Sequence, residues 1–179
     1  MRIIAGRYKG KRLIAPKKLP VRPTTDMAKE ALFNILNNRY HFEDLKVLDL
    51  FSGTGNISFE FASRGVETIT AVDENANCTR FINRTAKELD FAITVIKNDV
   101  YRHLKNETAK WDIIFADPPY HLKTNQFMEL VDLVFENNIL ENEGVLIVEH
   151  SDQTDLSESP KFSESRKYGS SVFSFFVSD

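Results

Sequence analysis

A single cysteine, Cys78, excludes an internal disulfide and any cysteine-rich metal site, as suits a reducing compartment. No apolar run approaches the roughly 18 residues needed to span a bilayer. The start Met1-Arg2-Ile3-Ile4-Ala5-Gly6 lacks the apolar core of a signal peptide, so the chain is read as cytoplasmic. The four histidines, His41, His103, His121 and His150, are scattered with no metal-ligand spacing, and no metal is expected. What is present, 42% hydrophobic and 27% charged residues in 179, suits one soluble domain of ordinary size.

Acids are missing from one stretch altogether. Residues 1–22 carry Arg2, Arg7, Lys9, Lys11, Arg12, Lys17, Lys18 and Arg22, eight of the chain's 23 basic residues, leaving 15 against all 26 acids in the remainder. An acidic body repels a polyanion, so a basic segment attached to it is a candidate nucleic-acid arm, with a solvated tail as the alternative. Tyr8 among the cations could stack on a base.

Residues 2–5 and 12–15 are short aliphatic segments around Gly6 and Gly10 and predict a hairpin. Lys17 to Pro23, with prolines at 16, 20 and 23, reads as an extended linker. Thr24 or Thr25 can cap the helix that follows, whose inward face carries Ala28, Ala31, Leu32, Ile35 and Leu36. From Lys46 strands and helices alternate: strands over 46–51, 67–72, 92–96, 111–116 and 144–149, helices over 57–64, 76–88, 100–107 and 124–137. That rhythm predicts an α/β fold with a doubly wound, mostly parallel sheet. Segments 161–168 and 171–177, separated by Gly169-Ser170, predict an antiparallel hairpin on the sheet edge.

The first of these strands, Val47-Leu48-Asp49-Leu50-Phe51, runs into Ser52-Gly53-Thr54-Gly55 and then a helix. Glycines at 53 and 55 allow a sharp turn and close approach of a ligand. The third glycine of a dinucleotide fingerprint would fall at position 58, which is Ser58, so the dinucleotide reading weakens. Asp49 instead suits a cation above the loop. Ligands of such sheets gather beyond the carboxyl ends of the strands. There lie Asp73, 20 residues after Gly53 and placed to accept from ribose hydroxyls, then Asn98-Asp99, then Asp117-Pro118-Pro119-Tyr120. Two prolines make a rigid corner that aims the Asp117 carboxylate and the Pro118 carbonyl, and Tyr120 adds a flat π-face. Two acceptors and a stacking platform match a planar base with an amino group.

Asp49-x-Phe51-x-Gly53-x-Gly55, Asp73 and Asp117-Pro118-Pro119-Tyr120, in that order, resemble the S-adenosylmethionine-dependent class I methyltransferases of exocyclic amines. Met1–Gly6, Arg22-Pro23-Thr24-Thr25-Asp26, Glu30-x-Leu32-Phe33-Asn34, Asp49–Gly53 and Arg166-Lys167-Tyr168-Gly169 further resemble the RsmD family, which methylates the N2 amine of a guanine in 16S ribosomal RNA. The resemblance implies a Rossmann-like methyltransferase domain over 23–179 behind a basic extension over 1–22. It implies that Asp49 and the loop Ser52, Gly53, Thr54 and Gly55 hold the methionine part of S-adenosylmethionine. Asp73 would hold its ribose and Asn98-Asp99 its adenine, with Phe51 and Glu74 counted among the cofactor residues. Asp117 and Pro118 would accept the guanine amine's N–H bonds, with Pro119 and Tyr120 completing the catalytic corner. Arg7, Lys9, Lys11, Arg12, Arg22 and Thr24 are expected to meet RNA, either free ribosomal RNA or the small-subunit particle, and the protein is expected to act as a monomer. The family commonly has Arg where this chain has Met27 and Lys29, which bears on phosphate contacts, and Ala in place of Ser52. The alternatives are an adenine-N6 methyltransferase of DNA or RNA, since Asp-Pro-Pro-Tyr alone fits it, and a non-catalytic RNA-binding module.

Overall fold

Strands of consecutive aliphatic residues require a layer on either face. That is the arrangement in the computed structural model, which describes residues 1–178. β1 (Lys46–Leu50), β2 (Thr68–Asp73), β3 (Ile93–Lys97) and β4 (Trp111–Ala116) run parallel and alternate with α2 (Asn56–Ser63), α3 (Ala76–Glu88) and α4 (Val100–Asn106). After α5 (Thr124–Glu136) come β5 (Leu140–Ser151), parallel to β4, and the hairpin of β6 (Phe162–Tyr168) and β7 (Ser171–Val177). The order is β3-β2-β1-β4-β5-β7-β6, with β7 antiparallel to both its neighbours. The winding reverses between β1 and β4, which puts the switch point at their carboxyl ends. α1 (Asp26–Asn37) and α2 cover one face around Leu32, Phe33 and Phe61, while α4 and α5 cover the other around Leu104, Leu130 and Val134. No helix among the described residues is long and apolar enough to cross a membrane.

β4 and α3 fall where the periodicity put them. β5 instead begins four residues before Gly144: Leu140 pairs with Trp111, the register shifts, and Glu143 takes a positive φ of 64° before Val145 pairs with Ile113. Of the two candidate caps for α1 it is Thr25 that accepts from Ala28 N, with Asp26 in the first turn.

The basic N-terminal segment is part of the core. Ile3 N donates to Lys11 O and Leu13 N to Met1 O, and one isolated bridge, Arg2 to Arg12, stands where a hairpin of full strands was expected. Ile3 and Leu13 are buried with Phe59, Phe81 and Ile82. Gly6 presses on the last turn of α2, where a Cβ would lie 1.8 Å from Ser63 O. Tyr8, read from sequence as a possible base platform, packs edge-on against Phe91 instead.

Lys29, at a position where the family commonly has Arg, is fully buried, donating to Arg2 O at 2.6 Å and Asn56 Oδ1 at 2.8 Å, with its ammonium 3.4 Å from Glu60. Glu60, equally buried, accepts from Ile4 N, Ala5 N and Arg64 Nε. One charged pair therefore ties the N-terminal segment, α1 and α2 together. Burial pulls the Lys29 pKa down, against the opposing pull of Glu60.

Candidate active site

The turn after β1 is built under strain. Phe51 takes φ 55°, costly for an aromatic residue, and its ring packs edge-on to Tyr101. Ser52 N and Oγ both donate to Val72 O, closing the turn onto β2. Gly55 caps α2 at φ 79°, and a Cβ there would meet Phe59 at 2.9 Å and Ile82 at 3.0 Å. This glycine is required by helix packing as well as by the turn. Thr54 is buried with its hydroxyl against Met1 Sδ, and Val21 of the extended linker lies against Gly53, so the linker covers the loop.

Asp49 points under that loop. It is buried and accepts from Ser58 N at 3.2 Å and Ser58 Oγ at 2.5 Å. Burial pushes its carboxyl up to about 7, with the Asp73 charge adding and the Ser58 hydrogen bonds opposing. The residue at the vacant third-glycine position is thus the ligand of the acid that opens the motif, a role readable from sequence only in that a small hydroxyl replaces glycine. Asp73, half-buried, accepts from Gly53 N and Asn75 N at 2.8 Å each, one on each oxygen. Each oxygen keeps a lone pair. Glu74 is exposed, Asn98 is half-buried with its N–H on Asp73 O, and Asp99 caps α4 by accepting from Arg102 N.

Across the switch point, β4 ends in the Pro-Pro corner. Pro118 is buried, Pro119 and His121 are exposed, and Tyr120 is 57% exposed with the Arg22 guanidinium 5.5 Å from its ring centroid. Asp117 is half-buried and its carboxyl has no hydrogen-bond donor among the described residues. Burial raises its pKa well above the usual carboxylate range, and the charges of Glu149 and Asp49 raise it further.

Glu149, at the end of β5, had no place in the sequence reading. It is buried, accepts from Thr24 Oγ1 at 2.5 Å and Ser171 Oγ at 2.9 Å, and lies one register step beyond the Ala116–Val148 pair, beside Asp117. Thr24, expected on the RNA surface, is therefore buried in a hydrogen bond to Glu149, and its own carbonyl accepts from Asn56 Nδ2.

The structure brings Asp49, Phe51–Gly55, Asp73, Asn98, Asp117–Tyr120 and Arg22 to one edge of the sheet. Arg7 does not join them. Its N–H binds Ser63 O at the far end of α2, about 10 Å along the helix from Asn56. Arg7 and Lys11 flank Tyr8, and Lys9 and Arg12 are exposed on the same segment.

The family described as Conserved hypothetical protein 95 matches residues 1–177. YlbH of Bacillus subtilis is 35% identical over 164 residues, covering 88% of this chain and 86% of that protein. The ribosomal RNA small subunit methyltransferase D of Buchnera aphidicola is 31% identical over 150 residues, covering 83% and 75% respectively. Among solved structures, Escherichia coli yhhF superposes with a TM-score of 0.85 at 26% identity, covering 98% of this chain and 96% of its own. The chain belongs to the family described as Conserved hypothetical protein 95, that of the RsmD methyltransferases which its motifs resemble.

Proposed function

We propose that this protein transfers the methyl group of S-adenosylmethionine to the exocyclic N2 amine of a guanine in small-subunit ribosomal RNA. The observation that carries the reading is Asp117: a carboxyl at a strand end, with no donor among the described residues, close in sequence to the exposed Tyr120. The residues present fit the cofactor. Asp49 is a buried acid whose described partners include no cation, suited to an ammonium or sulfonium, and Asp73 retains one lone pair on each oxygen for the ribose hydroxyls. When bound, S-adenosylmethionine supplies a methyl group already activated on a cationic sulfur, so the reaction needs no metal. Among the described residues no cluster of His, Cys, Asp and Glu could hold one.

The chain's own task is to make a poor nucleophile react. The guanine amine's lone pair is delocalised into the ring. Asp117 and the Pro118 carbonyl accept its two N–H bonds and pull the nitrogen toward tetrahedral geometry, which frees the lone pair. Tyr120 stacks on the base and fixes its plane, and holding the amine in line with the methyl makes the displacement effectively unimolecular. Since the corner lies at a sheet edge, the target nucleotide must be looped out or flipped.

The test is to offer labelled cofactor with ribosomal RNA, small-subunit particles and duplex DNA, and to map the modified nucleotide by mass spectrometry. N2-methylguanine in the small-subunit RNA is expected; N6-methyladenine would establish the rival reading.

The basic segment reaches well beyond the corner, so its cations would touch phosphates away from the flipped base. Changing Arg7, Lys9, Lys11 and Arg12 to Gln is expected to weaken RNA binding. It should also flatten the slope of log affinity against log salt by about 0.7–0.9 for each phosphate that is no longer neutralised. Cofactor affinity should not change. An unaltered slope would make the segment a solvated one.

A further inference from the structure

Three carboxyls, Asp49, Asp117 and Glu149, lie toward the carboxyl ends of the neighbouring strands β1, β4 and β5. Asp117 N donates to Leu50 O, which sets Asp117 beside the strand of Asp49, and the β4–β5 register sets it beside Glu149. The three are not treated alike by their surroundings. Asp49 has Ser58 and Glu149 has two hydroxyl donors, Thr24 from the N-terminal segment and Ser171 from β7. Asp117 has none among the described residues. The charged groups facing the cluster are Arg22, which acts on Glu149 and Tyr120 from the exposed rim, and Asp73, which acts on Asp49 from β2.

Carboxyls whose charges act on one another in a desolvated site do not all ionise together. Hydrogen-bond donors favour the charged form of whichever group receives them, so the two hydroxyls keep the negative charge on Glu149 and leave the proton to Asp117. A protonated Asp117 is a weak acceptor for an amine N–H, which a free anion is not. Something must remove the proton before transfer.

Resting on the function proposed above, we infer that Glu149 is a positioning residue. It forms with Asp117 a carboxyl pair that holds one proton on Asp117 while the site is empty and yields it when a cationic methyl donor enters beside Asp49. The acceptor thus becomes an anion only once the donor is in place. In the transfer, the N2 lone pair forms the new C–N bond and the S–CH3 bonding pair returns to sulfur, which loses its charge. The proton shed by the nitrogen goes to Asp117, and the pair is back in its starting state. Thr24 makes the N-terminal segment part of this arrangement, because its hydroxyl helps to keep the charge on Glu149.

The test is proton release on cofactor binding, measured by calorimetry near neutral pH in buffers of different ionisation enthalpy. S-adenosylmethionine is expected to release up to about one proton more than S-adenosylhomocysteine, which has the same ammonium but a neutral sulfur, so that release from Asp49 cancels. In Glu149→Gln the excess should shrink, because Asp117 loses the Glu149 charge that adds to burial in raising its pKa. Equal release by the two ligands in the unsubstituted protein, or an undiminished excess in Glu149→Gln, overturns the proposal. A second measurement needs no cofactor: the carboxyl carbon-13 shift of Asp117, followed against pH, should titrate at lower pH in Glu149→Gln and in Thr24→Val than in the unsubstituted protein. An unmoved midpoint in both variants refutes the pair even if methylation proves to have another target. A moved midpoint with no guanine product would instead condemn the function reading alone.

Discussion

Asp117→Ala is expected to lower methyl transfer to ribosomal RNA by on the order of 10³-fold, the range seen when one preorganised polar contact to a reacting centre is removed. The affinity for S-adenosylhomocysteine, which has the same ammonium and ribose but a neutral sulfur, should stay nearly unchanged. The two effects separate because Asp117 belongs to the corner after β4, whereas Asp49, the turn at 51–55 and Asp73 belong to β1 and β2. Removing a half-buried carboxyl that no described protein group binds leaves no donor unpaired, so the fold should survive the change. Asp117→Asn refines the result. It keeps an acceptor oxygen but cannot carry charge, so a loss close to that of alanine would mean that the anion matters more than the hydrogen bond. Single-turnover methylation beside calorimetric binding of S-adenosylhomocysteine measures both quantities, and turnover retained by Asp117→Ala would sink the assignment.

The frame of this site was legible because its parts are local. A buried strand, two glycines with forced positive φ and a Pro-Pro corner each carry their geometry in adjacent residues, and the alternation of strands and helices sets them on one edge. Ser58, Thr24 and Glu149 were not legible. Glu149 acquires its role from the register of β5 on β4, and its donors come from residues 24 and 171, far away in the chain. Nothing in Val-Glu-His marks such an acid apart from an ordinary strand end. The burial of Lys29 was not legible for a different reason. A lysine on an amphipathic helix is usually solvated, yet here it shares the inward face with Leu32, Phe33 and Leu36. That spacing was visible. What was not visible was Glu60, on another helix, to receive it.

Lys29→Ala is accordingly expected to be the most destabilising single change outside the site. It leaves Glu60 buried without its lysine, and loss of one partner from a buried pair costs about 3–5 kcal/mol. For a domain of this size each kcal/mol lowers the thermal midpoint by about 2–4 °C, so a fall of roughly 6–20 °C should be seen. Arg64 moderates the loss, since its Nε lies 2.9 Å from Glu60 and its guanidinium stacks 4.6 Å from the Phe33 ring centroid. Adding Glu60→Leu should not rescue the protein. Glu60 also accepts from Ile4 N, Ala5 N and Arg64 Nε, so the double variant exchanges a carboxylate short of its lysine for two backbone donors and a guanidinium short of their acceptor. The damage should reach the acceptor corner as well. Lys29 holds Asn56, Asn56 holds the Thr24 carbonyl, and the Thr24 hydroxyl holds Glu149, so loosening the lysine loosens the segment that carries Arg22 over Tyr120. Thermal unfolding of the single and double variants, with limited proteolysis of residues 1–24, tests the chain of contacts. A loss below about 1 kcal/mol, the scale of an exposed pair, would mean that water reaches Lys29 and that the N-terminal segment is held by Ile3, Leu13 and the close fit of Gly6 alone.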